Sequence, residues 1–201
     1  MPVLPSFTRT SLPALLLAAL ALPGLSLANP AGAEPAAPGA EPGVWQDHKI
    51  ELHYMGFTTT YSCDGLQSKL ELLLRQLGAR ADAKVSTYGC DRGFGQPSRF
   101  VSATLQFATL QPVDAAAPAA PQPTAAPLNG DWRNVELAPN RPFDLQDGDC
   151  ELIEQFSYKV LPLFSTRGLQ NRTTCVPHQD TGGPFDLQLQ VFAPSPAAKS
   201  K

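Results

Sequence analysis

Cysteine has the most chemistry to offer in this chain, and there are four. Cys63 and Cys90 enclose 26 residues, and Cys150 and Cys175 enclose 24, so the four fall into two similar pairs. In an oxidising compartment such pairs close loops, and on the chain-entropy view each closure contributes about 3.5 kcal/mol by shrinking the unfolded ensemble. Four cysteines permit three pairings. If each pair belongs to its own repeat, the bridges are Cys63 to Cys90 and Cys150 to Cys175, and no thiol remains free. Reduced, Cys63 and Cys150 would open helices and carry stabilised thiolates. Exchange enzymes, however, place the resolving thiol in a C-x-x-C turn, which is missing here, so the expected role is structural.

Other residue types offer less. Cys175-Val176-Pro177-His178 looks like half a zinc site, with Asp147 and Asp149 near Cys150, but Cys90-Asp91-Arg92-Gly93 has no matching histidine. A tetrahedral site needs four ligands in compatible pairs, and a solvated loop histidine is the plainer reading. His48, His53 and His178 are the only histidines, and no G-x-S-x-G accompanies them. His53 falls on the polar face of its strand. The loops Gly93 to Arg99 and His178 to Pro184 are glycine-rich but lead into strands, so they read as connections before they read as phosphate cradles. Asn171-Arg172-Thr173 matches the glycosylation sequon, which matters only in a host that modifies secreted proteins. The sequence therefore assigns no catalytic, cofactor-binding or metal-binding residue.

The elements that carry the cysteines repeat. Ile50, Leu52 and Tyr54 alternate with Glu51 and His53 as in a half-buried strand. Ser62 or Asp64 can cap a helix whose stripe is Leu66, Leu70, Leu73, Leu74 and Leu77, with Gly78 as its stop. Val85 to Cys90 is a short strand, and Val101, Ala103, Leu105 and Phe107 mark a longer one. In the second half, Trp132, Val135 and Leu137 mark a strand, Asp149 caps, and Ile153, Phe156, Val160, Leu161 and Phe164 form a helix face that Pro162 must interrupt. Leu169 to Cys175 is the next short strand, and Phe185, Leu187, Leu189 and Val191 mark the last. Counted from Cys63 and Cys150, Leu66 matches Ile153, Leu73 matches Val160, Leu74 matches Leu161, Leu77 matches Phe164 and Arg80 matches Arg167.

The expected fold is α+β: two tandem β-α-β-β repeats, each a small antiparallel sheet with one helix and one disulfide. Residues 44–112 form repeat 1 and 131–194 repeat 2. Residues 29–43 and 113–130 are Pro/Ala-rich linkers whose side chains offer too little apolar surface to offset ordering entropy. Residues 195–201 form a disordered tail.

Residues 1–28 read as a signal peptide, with Arg9, the apolar run Leu12 to Leu22, and a cut after Ala28 or, alternatively, Ala33. The run is too short to span a bilayer core of roughly 30 Å. Cleavage removes one of 15 basic residues and none of 18 acids, leaving a formal charge of −4. Scattered positive charges exclude a nucleic-acid or anionic-lipid footprint. The expected product is a secreted or periplasmic, disulfide-stabilised, non-catalytic binding protein. It would meet an envelope or extracellular protein and keep no stable membrane anchor. The rival expectations are a small hydrolase-like enzyme with a site between the repeats, and an inhibitor or structural envelope component. A cleft lined by His53 or His178 with an acid would favour the enzyme, and an exposed aromatic patch would favour the binder.

Overall fold

The computed structural model describes residues 40–91, 96–113, 128–176 and 185–195, all within one compact unit. The expected signal peptide, residues 177–184 with His178, and most of both linkers and of the tail lie outside the described residues.

Eight elements run in the order β1 (Glu41–Met55), α1 (Cys63–Gln76), β2 (Lys84–Tyr88), β3 (Phe100–Pro112), β4 (Leu128–Leu137), α2 (Cys150–Lys159), β5 (Thr166–Asn171) and β6 (Leu187–Pro194). All six strands join one antiparallel sheet in the order β2-β3-β1-β4-β6-β5. Two separate small sheets were expected, and one continuous sheet is found. The two halves meet at a seam where β1 and β4 pair only through Glu41↔Gly130, Pro42↔Asn129 and Gly43↔Leu128. The chain reaches this seam with residues assigned to linkers, because Gly, Pro and Asn carry no strand pattern yet pair through their backbones.

The helices form where the stripes demand. Ser62 caps α1 by accepting the Gly65 amide at 3.1 Å, and Gly78, at φ +80°, closes it in the left-handed region that glycine adopts without strain. Asp149 differs from the expected cap. It ends a 3-10 turn (Asp147–Asp149) ahead of α2 and makes no side-chain cap to that helix, its carboxylate being engaged elsewhere. Pro162 lies in a second 3-10 turn (Leu161–Leu163), where its missing amide costs nothing to α2.

Both helices pack on one face of the sheet. Leu66, Leu70, Leu73, Leu74 and Leu77 share a single buried cluster with Ile153, Phe156, Val160, Leu161 and Phe164, and with Leu52, Tyr54, Leu105, Leu137, Leu189 and Val191 from the strands. Deep burial of this many large side chains, each worth about 1.5–3 kcal/mol, makes the shared core the main source of stability. The second disulfide-bearing short strand is displaced from expectation. Leu169 to Cys175 was read as strand, but β5 runs Thr166–Asn171, because an exposed edge strand with a bulge between Arg167 and Gln170 shows no apolar alternation.

Candidate functional site

Alternation along the strands leaves one sheet face without a helix over it. Across the first half its rows are Asp47↔Ala108, Lys49↔Gln106↔Lys84, Glu51↔Thr104↔Ser86, His53↔Ser102↔Tyr88 and Met55↔Phe100. Across the second half they are Trp132↔Phe192, Asn134↔Gln190↔Arg167 and Glu136↔Gln188↔Gln170.

Near the seam this face has a small apolar centre of its own. Cβ atoms at Gly43 and Gly130 would stand 2.8 Å and 2.7 Å from Leu110 and 2.8 Å and 2.4 Å from Phe192, so both glycines exist to admit those side chains. A tryptophan flanks the centre on each side, and each carries an arginine. The Arg80 guanidinium lies 5.7 Å from the Trp45 ring centroid and that of Arg167 lies 4.2 Å from Trp132. Such cation–π contacts contribute about 0.5–1 kcal/mol where exposed. The Arg80 and Arg167 match was visible in the sequence, but their tryptophan partners were missed. The signal was there, since Trp45 precedes Cys63 by the interval that separates Trp132 from Cys150.

At the far end of the first half, Met55, Phe100 and Tyr88 lie on neighbouring strands and are 40 %, 58 % and 49 % exposed. Beside them His53 Nδ1 meets Ser102 Oγ at 2.9 Å, while its Nε2 stands 4.0 Å from Glu51. The residue types are those of a hydrolytic triad, but the geometry is not. The acid is beyond hydrogen-bond range, the histidine side chain is 69 % exposed, and the neighbouring backbone amides serve the sheet.

His48 faces the helices instead. Thr109 donates its hydroxyl to the Leu163 carbonyl at 3.0 Å, so it must accept from His48 Nε2 at 2.9 Å, which fixes the imidazole tautomer with the proton on Nε2. Burial against Phe107 lowers the His48 pKa from its ordinary value, opposed by nearby Asp47. A groove of about 400 Å³ borders this region, lined by Asp47, Lys49, Arg80, Asp82 and Lys84 among others.

A buried polar knot ties the halves together on the helix side. Tyr61 donates its hydroxyl to Asp149, Lys69 Nζ reaches the other oxygen of that carboxylate at 2.7 Å, and Gln146 N donates to it at 2.7 Å. Glu151, 5 % exposed, accepts the backbone amides of Phe57 and Thr58. Burial, with the Asp149 and Glu151 charges, pushes the Tyr61 and Tyr54 phenols far above their ordinary values, so both stay neutral donors. With its donors and acceptors mutually satisfied, the knot reads as a clamp on the β1–α1 connection.

The four cysteines form two disulfides, Cys63 with Cys90 and Cys150 with Cys175, the second more deeply buried at Cys150. Among the described residues no group of three or more His, Cys, Asp or Glu is placed to hold a metal ion. Asn171 turns its side-chain oxygen onto the Thr173 amide at 3.0 Å. Most of the two glycine-rich loops lies outside the described residues. No helix among the described residues is long and apolar enough to cross a membrane. Compared with known proteins, the chain matches no family model, no curated protein and no solved structure.

Proposed function

We propose that the chain is a secreted or periplasmic, non-catalytic binding protein, built from two tandem β-α-β-β repeats over residues 44–112 and 131–194 and joined by the Pro/Ala-rich linker 113–130. Two disulfides fit an oxidising compartment. The repeat reading is supported by the order of elements, identical in each half, and by the seam. Pro42 and Asn129 face one another there, and the Val113 amide bonds Pro42 O at 2.9 Å as the Ser195 amide bonds Asn129 O at 3.0 Å. Matching Gly43 with Gly130, Trp45 with Trp132 and Arg80 with Arg167 gives the same twofold relation in side chains.

The observation that carries the binding reading is the open cluster of Met55, Tyr88 and Phe100 on the uncovered sheet face. Large apolar side chains grouped on a surface lose free energy to water that a partner would return. An enzyme would need a cleft and an oriented acid, and the exposed His53, Ser102 and Glu51 offer neither. The partner is an envelope or extracellular protein.

The test is capture from the native envelope fraction by the immobilised mature chain, run beside a variant carrying Met55→Ser, Tyr88→Ser and Phe100→Ser. A partner held by the wild type and lost by the variant is expected. Equal capture by both, or a hydrolytic activity abolished by His53→Ala, would overturn the reading.

A further inference from the structure

Arg80 and Arg167 occupy matching places, yet their donors are spent differently. Arg80 gives Nε to Asp82 at 2.8 Å and a terminal nitrogen to Asp47 at 2.9 Å, so the chain's own carboxylates neutralise it. Arg167 gives Nε to the side-chain oxygen of Gln190 at 2.6 Å, and Gln190 in turn donates to Asn134 at 2.9 Å. Among the described residues no acceptor takes its two terminal nitrogens and no carboxylate pairs with it. Asn134 stands where the first half has Asp47.

A guanidinium laid on an indole with one edge tied presents its remaining N–H fork in a fixed plane, which suits the two oxygens of a carboxylate. Beside it runs a groove of about 510 Å³ bordered by Asn134, Glu136, Gly168, Gln170 and Gln188. Glu136 is neutralised by Arg141, leaving side-chain amides as the free polar groups. Val135 and Leu189 also border the groove, but both are buried with their side chains in the core, so no apolar side chain is offered to a ligand. Gly168 leaves the wall open, since a Cβ there would meet nothing within 4 Å.

We propose that Arg167 and this amide-lined groove bind a uronic acid unit within an oligosaccharide. The inference rests on the binding-protein reading and gives the second half a ligand. Amides donate and accept together, as sugar hydroxyls do. The one unneutralised cation on a groove without apolar pockets matches a ligand that is hydroxylated throughout and carries a single carboxylate per unit. A peptide would find no place for its side chains.

The experiment uses the full mature chain with Trp45→Phe, which leaves Trp132 as the only tryptophan and places the fluorescent reporter beneath Arg167. Trigalacturonic acid is the probe, and its methyl ester and N-acetyl-trialanine are the controls. Saturable change in Trp132 emission is expected with the acid alone. Losing one charge-assisted pair should weaken binding about tenfold or more in Arg167→Gln, whereas Arg80→Gln should leave it within about twofold. Equal binding of the methyl ester or the tripeptide, no saturable binding, or an equal loss from Arg80→Gln would overturn the proposal. If trigalacturonic acid fails while partner capture through Met55, Tyr88 and Phe100 persists, the sugar site falls and the binding function stands.

Discussion

The two halves of the sheet share a frame and differ in how they fill it. Each has a glycine at the seam, a tryptophan beyond it, an arginine over the tryptophan, and a cysteine opening its helix. Around that frame the first half is charged, with Asp47, Lys49, Arg80 and Lys84 across the uncovered face, and the second is amide-rich, with Asn134, Gln170, Gln188 and Gln190. Ser62 caps α1 locally, whereas its counterpart Asp149 reaches into the first half to hold Tyr61 and Lys69. Positions that set backbone approach and ring stacking are tied to geometry common to both halves, and positions that meet solvent or cross between halves are not.

The contrast between Ser62 and Asp149 can be broken most sharply. Asp149→Ala strips the partner from a mostly buried ammonium and should cost roughly 3–5 kcal/mol. Ser62→Ala removes one exposed cap and should cost about 1 kcal/mol. Chemical denaturation of both variants measures the difference. Similar small losses would mean that Asp149 is only another cap.

If the halves share one core, truncation should hurt equally in each. Leu73→Ala and Leu161→Ala should each cost roughly 2–5 kcal/mol and melt the chain in one cooperative step, while Gln67→Ala costs little. Two separate transitions by calorimetry would instead mean that each half folds on its own. Next in size is a pH effect confined to the first half, because the position matching His48 is Val135. A folded-state pKa held below the ordinary value of 6.5 gives stability that is full above 6.5 and is lost as pH falls through the lowered value. His48→Gln should remove that part of the acid dependence in urea titrations from pH 7.5 to 5, and an unchanged profile would place the effect elsewhere.

The smallest effect concerns the connection. Deleting half of residues 113–127 should leave the melting midpoint nearly unchanged, since halving a loop changes its closure entropy by only about 0.6 kcal/mol. A collapse of the fold would show that this segment packs as structure.

The helices were legible because their stripes are long and continuous, as in Leu66 to Leu77, and the central strand of the first half because Val101 to Phe107 alternates cleanly. What escaped was written in backbone pairing and in side-chain reach. The seam uses Pro42, Gly43, Asn129 and Gly130, residues that signal turns and linkers, and its pairing cannot be inferred from their side chains. β5 is exposed along most of its length and interrupted by Gly168, so no apolar period marks it. The tryptophan and arginine stacks join residues far apart in sequence, and neither partner alone is distinctive. Asp149 looked like a helix cap because its residue type and place suit one, and only packing against Tyr61 and Lys69 gives its carboxylate a different task.

The seam also decides what the order of the halves along the chain means. Glu41 and Ser195 lie beside Gly130 and Asn129, and Val113 and Leu128 lie beside Pro42 and Gly43, so four strand ends converge within a few inter-strand spacings of about 4.8 Å. A circular permutant that begins at Leu128, runs through Ser195, crosses a short peptide to Glu41 and ends at Val113 keeps every strand pairing and both disulfides. To the folded sheet, which half is translated first is immaterial.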